Sequence, residues 1–468
     1  MKSQENGDSM QKSKVPFSHQ LGYGIGVYGY GLTTQMISSY LIFYGTAVLR
    51  LPGGWIGLMV SLSVLWDGVS DPLMGYISDN TRSSLGKRHL YLLLGTLLMV
   101  AGNYALWTVN PSLSPTIKFL WLFVILLLHK TFITVYATPY NALGAEMTMD
   151  YDNRSAIQGV KTVFFILSIL SVTAIGMLVF FKPSLDYPLG QLNPDAYRNM
   201  ALTVSGLTLF TGLFTYFTTA GYRSRDDKKD RPNFSLFLTR VNFALKEPQF
   251  RSVLLGYLFT NLAAALIGTI GLHVFTYTFV FNNVEIATIF GVQFLMSILF
   301  QPFWVFISKK HDKKNVVIAG LKIAIAGSSL LFIMVLFKDF VSGHFEVMLL
   351  YAVIVGFGTS GLFSLPFSMV ADTVDIEEHI HGVRNEGVYY GLLNFGYKIS
   401  QALGIFCFGL LLDLIGFDSS LATQTPFTLY ALGLLLPLGT ITAMILSKSS
   451  FEKYTLTREY LASIQKKL

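Results

Sequence analysis

Charge is what this sequence has least of. Acidic and basic residues fill 13% of its 468 positions, against about 25% in soluble domains. Hydrophobic residues make up 52%, and mean hydropathy is +0.52. A string of soluble domains, which the length alone would allow, is excluded. Cysteine is nearly absent as well. Cys407 stands alone, so neither an intrachain disulfide nor a cysteine-based metal cluster can form, and its apolar neighbours predict a buried, inert thiol. The stretch Met1 to Val15 lacks the apolar core of a secretory signal, which leaves targeting to the first membrane span. A phosphate loop of Walker type, a metal-ligand cluster and a nucleophile–base set are all missing. An ATP-driven pump or a membrane enzyme would have no residues to run on, and no cofactor or resident metal is expected.

What is present is a series of long apolar runs. Stretches of at least about 20 mostly apolar residues, the length a bilayer requires, fall near 20–48, 54–78, 90–109, 117–147, 156–182, 200–221, 252–281, 284–308, 316–338, 346–371, 386–416 and 425–447. The charged stretch Tyr222 to Arg251 divides these twelve six and six. The reading is an all-α polytopic membrane protein of twelve transmembrane helices in two six-helix bundles. The expected parts are a tail (1–19), a bundle (20–221), a linker (222–251), a second bundle (252–447) and a tail (448–468).

The net charge of +7 does not point to nucleic acid, because the cations lie in loops. Arg82, Lys87 and Arg88; Arg223, Arg225, Lys228, Lys229 and Arg231; and Lys309, Lys310, Lys313 and Lys314 share one side, while the other holds scattered Arg50, Lys118, Lys182, Arg198 and Lys338. The positive-inside rule makes the first side cytoplasmic, with both termini there. A plasma (bacterial inner) membrane is expected, with a monomer as the assembly and lipid, solute and a coupling cation as the partners.

The halves repeat each other. Asp71-Pro72-Leu73-Met74-Gly75-Tyr76-Ile77-Ser78 after span 2 matches Gln301-Pro302-Phe303-Trp304-Val305-Phe306-Ile307-Ser308 after span 8. Pro139-Tyr140-Asn141 of span 4 echoes Pro366-Phe367-Ser368 of span 10. Such repeats place a solute site at the membrane midplane, worked by alternating access.

One feature of the second span is not repeated. Asp67 and Asp71 stand four residues apart in an apolar helix, hence on one face, one turn apart. Asp71 aligns with Gln301 in the other half, so only one half carries the carboxylate. A charge at bilayer depth costs about 2.5–3.5 kcal/mol on insertion scales, and intramembrane acids mark ion or proton paths. Span 4 contributes His129 and Lys130, with Lys130 four residues before Thr134 on the same face. Both spans enter from outside, which sets Lys130 at the depth of Asp67 and Thr134 at that of Asp71. Pairing of Lys130 with Asp67 or Asp71 would favour protons over sodium; a Lys130 facing the solute cavity would instead bind an anionic group. His129 and His273 read as packing residues.

These motifs resemble a known family. Gly75 to Arg88, with Asp79, Arg82, Gly86, Lys87 and Arg88, resembles the major-facilitator signature between helices 2 and 3. The preceding Asp67-x-x-x-Asp71-Pro72, with Asp372-Thr373-Val374-Asp375-x-x-Glu378, Arg384, Glu386 and Lys398, is similar to the glycoside–pentoside–hexuronide:cation symporters (melibiose permease-like) over roughly 21–417. The resemblance implies the major facilitator fold. It implies a cation site on Asp67, Ser70, Asp71 and Thr134, with Ser70 in place of an asparagine and Lys398 near the sugar and cation sites. The family's two sugar-binding aspartates fall on Gly31 and Ala137, and its helix 4 tryptophan on Asn141, so the chassis is retained and the solute changed. Tyr28, Tyr30, Gly31, Ala137, Asn141 and Asn394 are the candidate cavity positions; Tyr23 is either a further one or packing. Asp79, Arg82, Lys87 and Arg88 suit a cytoplasmic latch, and Arg154 against Asp372, Asp375 or Glu378 a lock between halves, with Arg384 and Glu386 beside it.

The reading is therefore a cation-coupled (sodium or proton) symporter for a small polar solute, a saccharide, glycoside or sugar acid. The alternatives are a lysophospholipid symporter, whose family shares the helix 2 aspartates and helix 11 lysine, and a non-transporting sensor or scaffold of the same fold. Glycines Gly22, Gly26 and Gly29 share one face of span 1 and predict a close helix crossing.

Overall fold

Proline and short polar side chains set where the helices begin. Pro115, Pro194, Pro248 and Pro426 open their helices, where the missing N–H has no intrahelical partner to lose. Asn193 and Thr425 cap two of these starts, and Asn282 with Glu285 forms a reciprocal capping box. The structure, a computed structural model, describes residues 15–148, 151–223, 241–381, 386–418, 421 and 424–460. Among them run twelve long helices and no strand: α1 Phe17–Phe43, α2 Gly53–Asn80, α3 His89–Leu106, α4 Pro115–Glu146, α5 Tyr151–Leu170, α6 Pro194–Thr218, α7 Pro248–His273, α8 Asn283–Ser308, α9 Lys313–Leu336, α10 in two pieces (Glu346–Ser360 and Leu365–His381), α11 Glu386–Leu414 and α12 Pro426–Phe451.

Ten of these helices are apolar enough to cross a membrane by length and composition; α1 and α2 fall below that threshold. At 27 and 28 residues both are long enough to span, about 40 Å at 1.5 Å per residue. Their low hydropathy has a local cause. α1 is rich in Gly, Thr, Ser and Tyr, and α2 carries Asp67 and Asp71.

The chain divides into two units, Met1–Leu51 with Leu62–Asp230, and Pro52–Ser61 with Arg231–Leu468. In the first unit α1 packs on α5 and α6, and α3 on α4 and α6. The glycine face of α1 receives a threonine face of α6: Gly22, Gly26 and Gly29 abut Thr218, Thr215 and Thr211, so a methyl group at any of them would collide. Thr215 Oγ1 donates to Gly22 O at 2.8 Å and Thr208 Oγ1 to Gly29 O at 3.0 Å. Small residues let the backbones approach and hydroxyls bind across the gap, which is how helices associate without a hydrophobic drive. Tyr23, Tyr136 and Tyr140, all buried, tie α1 to α4. Tyr23 and Tyr140 stack with centroids 4.4 Å apart, and Tyr140 OH donates to Tyr23 O at 2.7 Å. Tyr23 is thus packing, not cavity lining.

In the second unit α7 packs on α11 and α12, α9 on α10 and α12, and α8 on α10. The first amides of α2 belong to this unit: Gly53 N and Gly54 N donate to Asp413 Oδ1 and Oδ2 of α11, each at 2.7 Å, a carboxylate at a helix N-terminus. Cys407 is exposed on α11, not buried as its apolar neighbours suggest. In a membrane protein apolar sequence faces outward as readily as inward, so apolar company does not predict burial.

The repeat predicted from sequence is visible in the backbone. α1 ends in a π turn at Tyr44–Val48 and α7 in one at Val274–Thr278. Leu49 N reaches Tyr44 O and Leu51 N reaches Gly45 O; Phe279 N reaches Val274 O and Phe281 N reaches Phe275 O. Both turns close on a left-handed residue, Arg50 (φ 58°) and Val280 (φ 56°). Pro72 of α2 and Pro302 of α8 likewise lie inside helices. A β-branched residue at positive φ is strained, by about 1–2 kcal/mol. Val280→Gly is expected to stabilise by up to about 1 kcal/mol once glycine's own entropy is subtracted, read as a higher thermal unfolding midpoint. A lower midpoint in purified variant would show that the turn is not strained.

Candidate functional site

The two acidic positions of α2 meet α4 as a pair of rungs. Lys130 Nζ lies 3.0 Å from Asp67 Oδ2, and Thr134 Oγ1 donates to Asp71 Oδ1 at 2.7 Å. Both helices step by four residues, one turn each, so the partners stay in register. Asp67 is 4% exposed and Lys130 half-buried. Above the rungs, Trp66 Nε1 donates to Thr131 Oγ1 at 2.8 Å. Ser70, on the same side of α2, is buried, and its Oγ meets no protein partner. An orphaned hydroxyl beside two carboxylates fits a small polar occupant, a water or a coordinated cation. Among the described residues no cluster of three His, Cys, Asp or Glu suits a resident metal.

A buried ammonium–carboxylate pair stabilises only while both members are present, and removal of one leaves a charge without its counter-charge. The neighbouring His129 is turned away from this locus. Its fully buried ring lies against Gly102 of α3. His273 in the second unit packs edge-on to Phe408 and Phe417.

The candidate cavity positions are less uniform. Tyr28 OH is 2.9 Å from Ser171 Oγ, beyond the end of α5, and Tyr30 leans on Tyr136 and Tyr140. Ala137 is half-buried and Asn141 exposed. Gly31, aligned with a sugar-binding aspartate, is buried, and a Cβ there would meet the Ser168 hydroxyl of α5 at 2.4 Å. Asn394 and Lys398 sit one turn apart on α11, in the second unit. A residue that the sequence reading passed over is Lys161 of α5, whose Nζ donates to Asn141 Oδ1 at 2.7 Å. The signal was there: a lysine within a predicted span.

The latch residues form two clusters, one per unit. In the first, Arg88 Nη1 donates to Ser78 Oγ at 2.7 Å, and Nη2 lies 2.5 Å from Asp79 Oδ1 and 2.8 Å from Glu146 Oε1. Lys87 Nζ is 3.3 Å from Glu146, while Arg82 is exposed. Glu146, which ends α4, was not anticipated. In the second unit Lys313 Nζ binds both oxygens of Asp372 at 2.7 Å, and Tyr454 OH donates to Asp372 Oδ2 at 3.2 Å. Lys313 stands at the start of the third helix of its own half, as Arg88 does in the first. Asp375 and Glu378 lie farther along the same α10 segment. Arg384 lies outside the described residues, as do the side chains of Arg154 and Glu386.

Twelve helices in two units, unrepeated carboxylates on one helix, and cation–carboxylate clusters at matching helix ends define a membrane solute transporter of the major facilitator kind. The family described as MFS/sugar transport protein matches residues 22–457, and the chain belongs to it. An uncharacterized symporter, YjmB, of Bacillus subtilis is 26% identical over 93% of this chain and 91% of its own length. Sodium-dependent lysophosphatidylcholine symporter 1 of Gallus gallus is 23% identical over 96% and 88%. Among solved structures, the nucleoside transporter NupG matches the fold with a TM-score of 0.65 at 14% identity, over 92% of this chain and all of that one.

Single substitutions Asp67→Asn and Lys130→Gln are each expected to destabilise the purified protein by about 3–5 kcal/mol, and the double variant to recover most of that loss. Additive losses in thermal or denaturant unfolding would show that the pair is not coupled.

Proposed function

We propose that this chain is a cation-coupled secondary symporter that imports a small polar solute, a saccharide, glycoside or sugar acid, by alternating access. The observation that carries the reading is the pair of part-buried rungs, Lys130 on Asp67 and Thr134 on Asp71, in the half of the repeat that alone has carboxylates there. Asp67, Ser70, Asp71 and Thr134 bind the coupling cation from the outside, with Lys130 and Lys398 balancing charge. Occupation of the site raises affinity for solute, and solute raises affinity for the cation by the same factor. Asn141 and Lys161 give the solute face an amide and a cation, suited to sugar hydroxyls or a carboxylate. The basic loops put both termini in the cytoplasm of a plasma-membrane protein. The Arg88–Glu146 and Lys313–Asp372 clusters then act as cytoplasmic latches, and the protein works as a monomer.

The second reading is a lysophospholipid symporter, favoured by the name of the Gallus gallus relative, which is also sodium-dependent. Reconstituted vesicles given labelled disaccharides, glycosides and hexuronates, with sodium and proton gradients applied separately, distinguish the two. Uptake of at least one sugar class is expected to need an ion gradient. Asp71→Asn is expected to reduce gradient-driven uptake about tenfold or more, the equivalent of at least 1.4 kcal/mol of coupling. Unchanged uptake in the variant contradicts the site, and competition by lysophosphatidylcholine with no sugar uptake favours the lipid reading.

A further inference from the structure

We infer that Arg223, just beyond α6, is the headgroup end of a binding site for an anionic phospholipid, whose acyl chain runs along the exposed phenylalanines of that helix. Lys87, Arg88, Lys130 and Lys313 each meet a carboxylate. Among the described residues none meets Arg223. Its guanidinium lies 5.3 Å from the centroid of the Tyr216 ring, and its Nε is buried with no hydrogen-bond partner. A buried N–H left without an acceptor is costly, and such a group in a native structure points to an occupant from outside the chain. A phosphate suits this donor: the planar guanidinium fork matches two phosphate oxygens at once while its face stays stacked on an aromatic ring.

The surroundings select a lipid over a free ion. α6 is one of the apolar spans, Pro194–Thr218, and Arg223 follows shortly after its end, which sets the guanidinium at the level of the headgroups. Phe210, Phe214 and Phe217 are all exposed and, at i, i+4 and i+7, run along one face of the helix. Phe210 and Phe214 stack with centroids 6.0 Å apart. Buried Tyr216 joins this row to the cation, since its ring meets Phe217 edge-on at 5.2 Å and carries the guanidinium on its face. One ligand that covers both ends is therefore part phosphate and part hydrocarbon. Gly86, in the loop between α2 and α3, lies against Arg223, where a Cβ would meet the arginine's own Cβ at 3.2 Å. The next two residues, Lys87 and Arg88, are both basic. A zwitterionic headgroup would bring a further cation into this company; an anionic headgroup does not.

The purified full-length protein in mixed detergent micelles tests this without a known solute. Dioleoyl phosphatidylglycerol is expected to raise its unfolding midpoint saturably, by about 2 °C, and dioleoyl phosphatidylcholine at the same mole fraction is not. Arg223→Gln is expected to lose the rise. Arg223→Lys is expected to keep part of it, because an ammonium retains the charge without the fork. Lys310→Gln, which removes an exposed cation of the other unit, is expected to keep all of it. Where Arg223→Gln fails to fold, the two lipids on wild type and the lysine variant still decide. No rise in wild type, an equal rise with phosphatidylcholine, or an equal rise in Arg223→Gln overturns the site. A loss in Lys310→Gln as large as in Arg223→Gln reduces it to bulk surface charge and overturns it too. The same rise with inorganic phosphate alone overturns the lipid as its occupant.

Discussion

Burying charge in a low-dielectric span is the constraint on which the rest of this structure depends. Each carboxylate of α2 is costly at membrane depth, and each is met by a side chain of α4 one turn from the next. Because the bonds Lys130–Asp67 and Thr134–Asp71 require register, they fix how α2 and α4 align. Tyr23, Tyr136 and Tyr140 bind α4 to α1, and the glycine–threonine crossing binds α1 to α6. The polar rungs thus sit in a frame of close-packed helices, and their chemistry is available for coupling because packing, not charge, supplies most of the frame.

Much of this was legible in the sequence because hydrophobic length and four-residue spacing are local properties. The twelve spans, the carboxylate pair, the shared depth of Lys130 and Asp67, and the glycine face of α1 follow from counting along one helix. Partners in space are a different matter. Spacing left Lys130 open to either aspartate, and only the structure assigns it to Asp67. Glu146 ends its span amid other polar residues, where a charge is ordinary, whereas Lys161 lies inside one. The approach of Ser168 in α5 to Gly31 depends on a helix far away in sequence, which alignment along α1 does not show. Cys407 shows the converse, since apolar neighbours say nothing about which side of a membrane helix faces out.

The repeat tells which features serve the fold and which serve the chemistry. The π turns at Tyr44–Val48 and Val274–Thr278, with left-handed Arg50 and Val280 behind them, recur in both halves, as does a cation at the start of the third helix bound to an acid in the fourth. Features kept twice are architectural or move with the architecture. Asp71 has Gln301 as its counterpart, and a carboxylate kept once, at a position where it is expensive, is the one to associate with function.

The most direct measurement sets gradient-free exchange of the transported sugar beside its gradient-driven uptake, in vesicles holding Asp71→Asn. Retained exchange with lost accumulation is expected if the α2 carboxylates couple the ion to the solute while packing holds the frame. Loss of both together, with a lowered unfolding midpoint, would contradict that division and make the carboxylates part of the frame.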